Sequence, residues 1–394
     1  MDMKRILMVL EKDFPEDERV EKEALALINA GYEVHLAIIN DQKQSASKKI
    51  YKDIIVHQRL IGKWVKKTSV GALMFSFYFN FWRNFLEDIL KDTKFDYIHI
   101  HDLPLAKIGK ELSIKHNCKF VLDLHEHWPA LLELSPHTKT FLGRLLSHKN
   151  QWVSYETKMV NLADHLIVVI EEARDRIAKL GVPKNKISVV SNTIPIKELQ
   201  GSKFDFSPPN RKIVIGYAGG IQYLRGLQEV IQALPDLVAA YPNLELWLIG
   251  GGRHVKSLKH LAEELKVKDN VLFFGHQPYS EMMKLINQFT IGLIPHLKNP
   301  LTDATIPNKL FQYMYLEKPI LASNCDPIKR IIEETKTGLI HEFNNPPDIA
   351  EKVDKILKSK DLITKFGLNG KKAVESKYNW ENDAKVLVKT YSSI

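Results

Sequence analysis

The 394-residue sequence predicts an α/β protein built from two doubly wound domains. Three observations carry that prediction. Apolar runs of strand length alternate with amphipathic helical stretches along nearly the whole chain. The alternation lapses once, near the middle, into a segment rich in proline, serine and charge. It then resumes with the same rhythm. Such alternation implies parallel sheets with helices on both faces.

Taken in order, the strands of the first half are RILMVL (5–10), EVHLAII (33–39), YIHI (97–100), KFVLDL (119–124), HLIVVI (165–170) and ISVV (187–190). Between the first two lies DERVEKEALALINAG, an amphipathic helix that Gly31 caps at its C-terminus. The lapse, TIPIKELQGSKFDFSPPNRK, reads as a linker. Strands resume with KIVIGYAGG (212–220), LELWLIGGG (244–252), VLFFG (271–275), TIGLIP (290–295), PILAS (319–323) and GLI (338–340). The resulting domains are 1–195, a linker at 196–211, and 212–376, with a terminal helix at 377–394 crossing back to the first half. Two such domains face each other across a cleft. Their ligands are expected beyond the carboxyl ends of the strands, where loops and helix N-termini converge.

Composition narrows the function. With 44% hydrophobic and 26% charged residues the chain can build real cores, and no apolar run approaches the roughly 20 residues that span a bilayer. The N-terminal apolar stretch is closed at once by acids, so it reads as a strand rather than a signal peptide. Two distant cysteines, Cys118 and Cys325, fit a reducing, cytoplasmic setting and form no metal framework. The net charge of +9 is concentrated between Gln42 and Lys67, just before the aromatic-rich GALMFSFYFNFWRNFLEDIL (71–90). The basic stretch reads equally as a solvated loop or as a contact with an anionic membrane at its inner face. The aromatic helix reads better as core. No nucleic-acid module accompanies the charge.

Candidate chemistry sits after the strands. Gly219 and Gly220 let the backbone approach a ligand, and Arg225 follows, able to grip a diphosphate. Gly251 lies in a second glycine turn. There is no GxGxxG after a domain's first strand, no P-loop and no DxD triplet, so dinucleotide, P-loop and metal-bridged chemistry lack their usual signatures. In LTDATIPNKLFQYM, Pro307 suits a first helical turn. Free N–H groups near Thr305 and Asn308 would meet phosphate or sugar oxygens, with Lys309 adding charge and Gln312 one turn on. In the first half Asp13 and Arg19 follow strand one; His101, Asp102, His125, Glu126 and His127 follow later strands.

These residues resemble GT-B-fold nucleotide-sugar glycosyltransferases of family 4, which are retaining enzymes with two Rossmann-like domains. The resemblance runs through DERVEKEALALINAGYEVHLAI, FDYIHIHDLP, FVLDLHEHWP, VVSNTI, IGYAGGIQYLRGLQEVIQAL and LELWLIGGG. It implies a metal-independent enzyme without a cofactor, a nucleotide-sugar donor bound by the second domain, and a glycan or lipid-linked acceptor bound by the first.

Residue by residue, the resemblance makes Arg225-Gly226 the basic-Gly pair that holds the donor diphosphate. His125 becomes the histidine beside the transferred sugar, and GHQPYSEM, with His276, the segment near the base. Gly219 stands where the family has an arginine, with Lys309 as its replacement. The family's paired glutamates fall at Ala304 and Gln312, with Asp303 beside the first. On this reading His125, Arg225 and Lys309 are catalytic. Gly219, Gly220, Gly251, His276, Asp303, Thr305, Asn308 and Gln312 hold the donor, and Asp13, Arg19, His101 and His127 the acceptor. No residue is expected to hold a metal. A nucleotide-sugar epimerase and a non-catalytic partner subunit of the same fold are the alternatives. The first would need carboxylates around the sugar; the second would not bind a nucleoside diphosphate.

Overall fold

The computed structural model describes residues 3–15, 17–40, 47–135, 138, 140–201 and 212–394. The chain divides into two compact units, Met1–Ser191 with Asp383–Ile394, and Asn192–Asn382. Of the segment expected to be a linker, Ile196–Gly201 is a short helix in the second unit, and Glu381 accepts a hydrogen bond from the Lys197 N–H at 2.8 Å. Residues 202–211 lie outside the described residues. The terminal helix, Trp380–Ser393, is shared, its residues from Asp383 onward belonging to the first unit.

The first unit holds an eight-stranded sheet. In chain order its strands are β1 (Arg5–Leu10), β2 (Glu33–Asn40), β3 (Ser47–Tyr51), β4 (Ile54–Leu60), β5 (Tyr97–His101), β6 (Lys119–Leu124), β7 (His165–Val168) and β8 (Ile187–Val189). Their spatial order is β3-β4-β2-β1-β5-β6-β7-β8. The central strands are covered on both faces, which is why they read as near-continuous apolar runs. Because β1 is flanked by β2 on one side and β5 on the other, the winding reverses between β1 and β5. Loops leaving a sheet at such a point diverge and leave a crevice at the carboxyl ends.

The basic stretch departs from the sequence expectation. From residue 47 onward, β3 and β4 form an antiparallel hairpin, pairing Tyr51 with Ile54, and β4 continues in parallel beside β2. Lys52 and Asp53 both take positive φ, 45° and 68°, the geometry of a two-residue hairpin turn. Glycine or asparagine usually advertises that turn, and neither is present. The period-2 pattern is there, since Ile54, Val56 and Gln58 point inward while Lys48 and Lys49 stay exposed, but surrounding charge masks it. Lys43 lies outside the described residues. The aromatic helix, Phe77–Asp92, is core as expected, burying Tyr78, Phe79, Trp82, Phe85, Leu86, Ile89 and Leu90.

The second unit's sheet has six parallel strands: β9 (Ile213–Ala218), β10 (Leu244–Ile249), β11 (Val271–Gly275), β12 (Ile291–Ile294), β13 (Ile320–Ser323) and β14 (Gly338–His341). The order β11-β10-β9-β12-β13-β14 puts its reversal between β9 and β12. Helix Leu227–Ala240 packs Leu227, Val230, Ile231, Leu234 and Leu237 onto Ile215, Leu246 and Leu248 of the sheet. Both reversals sit where the sequence places its candidate loops.

Candidate active site

In the second unit the site grows from the end of β9. Tyr217 is fully buried and its hydroxyl donates to the Gly220 carbonyl at 2.9 Å, folding the strand end back on itself. Gly219 takes φ +130°, and a Cβ there would lie 2.8 Å from the Lys309 Nζ. Gly220 faces open space. The chain then makes a single 3-10 turn, Tyr223–Arg225, ended by Gly226 at φ +68°. A side chain at Gly226 would sit 1.7 Å from the Pro295 carbonyl oxygen, so only glycine lets this turn close against the end of β12. That contact brings Arg225 to His296, with Nη1 3.4 Å from Nε2.

Lys309 enters from the helix Asn308–Tyr315, whose residues 309–315 are all buried. Pro307 precedes this helix as its N-cap, one position earlier than the sequence suggests, and no side chain caps the first N–H groups. Phe311 and Met314 pack inward and Tyr313 donates no slack: its hydroxyl accepts the Ala218 N–H at 3.0 Å, tying the helix to the end of β9. Lys309 Nζ lies over the Tyr217 ring, 3.3 Å from its centroid. Burial, and then the nearby Arg225 charge, hold the Lys309 pKa well below the usual lysine range. Burial followed by the two cations likewise keeps His296 neutral.

Among the described residues, neither Arg225 nor Lys309 makes an ion pair with a carboxylate. Two cations with only a ring face and a neutral imidazole for company form a site short of negative charge.

The other donor candidates fall into two groups. Gln312 is buried on the same helix as Lys309, and Thr305 and Asn308 are half-buried at its start. His276 is exposed beside Gly251, where a Cβ would meet its Nε2 at 2.5 Å, so these two are neighbours. Asp303 is engaged elsewhere. Its Oδ1 accepts the Asp326 N–H at 2.9 Å at the start of helix Asp326–Thr335, and Oδ2 lies 3.8 Å from Lys298. It acts as a cap rather than a stand-in for a sugar-binding acid. Sequence reasoning missed Tyr217 and His296. The signal was weak, an aromatic inside an apolar strand and a histidine one residue past a strand-ending proline.

In the first unit the structure gathers a buried polar cluster at the carboxyl ends of β5 and β6. His99 and His101 share a face at i, i+2, and the register sets His101 beside Asp123. Arg19, expected to face an acceptor, instead turns inward from helix Glu18–Asn29. Its Nη2 donates to both Asp123 oxygens at 3.1 and 3.2 Å and lies 2.9 Å from Glu23 Oε1, while Nη1 donates to the Val190 carbonyl. Asp123 and Glu23 are fully buried. His101, also expected to face an acceptor, is sealed beneath His125, its Nδ1 3.2 Å from His125 Nε2. Burial, and His99 next, keep His101 neutral.

His125 is the group nearest the surface. Burial opposes its charge, but Asp123 at 2.9 Å and Asp102 at 3.9 Å outweigh that and raise its pKa to about 9. Asp102 takes φ +67°, a costly conformation for a non-glycine residue at a strand end. Asp13 bonds to the neighbouring Phe14 N–H, and His127 stands at the N-cap of helix Trp128–Leu134. Glu11 lies past β1 and accepts from the Tyr78 hydroxyl at 2.5 Å; burial raises its pKa to about 7.

Ligand atoms of Glu23, His99, His101 and Asp123 lie within 4.8 Å of one another, close enough to hold a cation. Arg19 already provides that cation, wedged between the two carboxylates, so a metal ion there would face a guanidinium. The sequence signal for this cluster was the strand period, which sets His99 and His101 on one face of β5, with Asp123 opposite His101 on β6 and His125 two residues past it.

Two doubly wound units, each with polar residues at its winding reversal, define the GT-B class of glycosyltransferase. Residues 19–198 match glycosyltransferase family 4 and residues 201–373 match glycosyl transferases group 1, and the chain belongs to this family of enzymes. It is 24% identical over 77% of its length to 76% of an uncharacterized glycosyltransferase of Methanocaldococcus jannaschii. It is 26% identical over 77% of its length to 79% of the spore coat protein SA of Bacillus subtilis. A capsular polysaccharide biosynthesis glycosyltransferase, CapM of Staphylococcus aureus, is 26% identical over 56% of this chain and 60% of its own. Among solved structures, HepE of Anabaena in complex with UDP has the same fold, with a TM-score of 0.72 at 14% identity, all of both chains being covered. No helix among the described residues is long and apolar enough to cross a membrane.

Proposed function

We propose that the protein transfers a sugar, with retention, from a UDP-sugar to a glycan or lipid-linked acceptor during cell-surface polysaccharide synthesis at the inner face of the membrane. One observation carries the donor assignment: Arg225 and Lys309 converge at the end of β9 with no carboxylate among the described residues to balance them. A diphosphate supplies that balance. The UDP in the HepE complex and the capsular role of CapM support the choice of donor and pathway.

In this reading Arg225 and Lys309 hold the diphosphate, and Gln312 bonds the ribose through its amide. The uncapped start of the helix Asn308–Tyr315, with Thr305 and Asn308, adds N–H donors. The turns at Gly219, Gly220 and Gly251 leave room for the backbone to approach, with His276 near the base. The two cations stabilise the charge that grows on the departing diphosphate. The acceptor hydroxyl oxygen bonds to the anomeric carbon as the bond from that carbon to the diphosphate oxygen breaks. The hydroxyl proton passes to the leaving phosphate. In the first unit His125 is assigned to the transferred sugar, and Asp13 and His127 to the acceptor. Arg19 and His101 act beneath His125, not on the acceptor.

Thermal-shift screening with UDP-, GDP- and ADP-sugars tests the donor. Stabilisation is expected with a UDP-sugar, and stabilisation by a GDP- or ADP-sugar alone would replace the base. Release of UDP only when donor and acceptor are both present separates transfer from hydrolysis.

A further inference from the structure

A wide cavity lies away from both polar clusters. It is an open groove of about 870 Å³ on the first unit, between the helices Phe77–Asp92, Ala106–Lys115 and Lys149–Leu162 and the turn that precedes Phe77. Its floor is apolar, formed by Leu73, Phe79, Met159 and their neighbours. Met74 and Phe75, on its wall, are 47% and 46% exposed. The apolar surface continues beyond the groove, where exposed Phe77 and Trp64 meet edge to face with ring centroids 5.1 Å apart.

The rim is mostly positive. Arg83, Lys107, Lys110 and Lys158 line it against one acid, Glu111, and Arg83 Nη2 already donates to that acid at 2.6 Å. Lys110 and Lys158 make no ion pair among the described residues. Lysines at the edge of apolar surface lay their stems along it and hold their charge outward. Lys63, Lys66 and Lys67 extend the positive field around Trp64. An apolar trough ringed by cations and bordered by exposed aromatic rings is complementary to one kind of molecule, an anionic amphiphile presented at a bilayer surface.

We propose that this groove binds the phosphate-bearing end of a membrane lipid, with Lys110 and Lys158 on the phosphate and Met74 and Phe75 against the chain. The proposal deepens the lipid-linked reading of the acceptor and rests on it. It assigns lipid contact to the groove, not to the basic hairpin of β3 and β4.

Co-sedimentation of the full chain with vesicles tests it. One set contains equal parts of phosphatidylglycerol and phosphatidylcholine, the other phosphatidylcholine alone. The protein is expected to bind the first and not the second. Lys110→Glu with Lys158→Glu should weaken binding by at least about tenfold, and Phe75→Asp should also weaken it. Lys48→Glu with Lys49→Glu should leave it within about twofold. Melting temperatures and UDP titrations on the same variants show that the fold and donor site persist. Equal binding to phosphatidylcholine, no effect of the groove substitutions, or an equal loss in the hairpin variant would each overturn the proposal. If vesicle binding fails while UDP still binds and sugar still passes to a soluble glycan, only the groove assignment falls. If vesicles bind and only soluble glycans are glycosylated, the groove stands and the acceptor reading changes.

Discussion

Lys309 is held where its own charge is disfavoured, buried beside Arg225 with no acid among the described residues to offset either. A diphosphate placed there favours the ammonium and should raise the Lys309 pKa, so nucleotide binding should weaken as pH rises and take up a proton where the free lysine has begun to lose its own. Calorimetry in buffers of different ionisation enthalpy measures that uptake, and Lys309→Met should abolish it. Losing either cation should weaken nucleoside diphosphate binding by roughly ten- to a hundredfold, the range for charge-assisted hydrogen bonds. Gln312→Glu should tighten it severalfold if the amide faces ribose hydroxyls; an unchanged affinity removes that role. Asp303 belongs with stability instead. Asparagine keeps the Oδ1 acceptor and should be nearly neutral, whereas Asp303→Ala should cost about 1 kcal/mol through the lost cap; both should leave nucleotide affinity unchanged.

At His125 the pKa is displaced the other way, upward. Its folded pKa of about 9 stands above the ordinary 6.5. Its pairing with Asp123 therefore contributes fully below pH 6.5 and is lost as pH rises through 9. Urea denaturation of the wild type should lose stability across that window, and His125→Gln should flatten the loss. An identical slope in both would show that the imidazole is not paired as described.

At the scale of elements, the turn between β9 and the helix Leu227–Ala240 sets the donor site. Gly226→Ala should lower stability by several kcal/mol, because its Cβ would collide with the Pro295 carbonyl in a backbone region that L-residues avoid. Gly220→Ala meets open space and should leave the melting temperature nearly unchanged. Stability measurements on the pair separate a turn that requires glycine from one that leaves room for a ligand.

Elements also show what could be read from sequence. The apolar strands emerged with ends accurate to within three residues, since buried parallel strands carry their pattern in hydrophobicity alone. The β3–β4 hairpin did not, because lysines on its exposed face and a Lys52-Asp53 turn conceal the alternation. Side-chain direction was the harder problem. Arg19 and His101 sit at strand or helix ends where a ligand contact is plausible. Only the three-dimensional register shows them turned inward onto Asp123.

For the whole molecule, the order of motifs was more legible than the chemistry within them. Each winding reversal lies where the sequence placed a glycine turn or a histidine-rich loop, because chain order and strand length determine the topology. The partners of individual charges depend on packing between segments a hundred residues apart, such as Arg19 and Asp123, and no local pattern records them. That division explains why the family and fold follow from the sequence while the donor base and acceptor remain matters for measurement.

The most direct test is titration calorimetry of UDP into the wild type and Arg225→Ala. The account predicts saturable binding, weakened at least about tenfold in the variant. Absence of saturable binding by UDP, or equal affinity in both proteins, would contradict it.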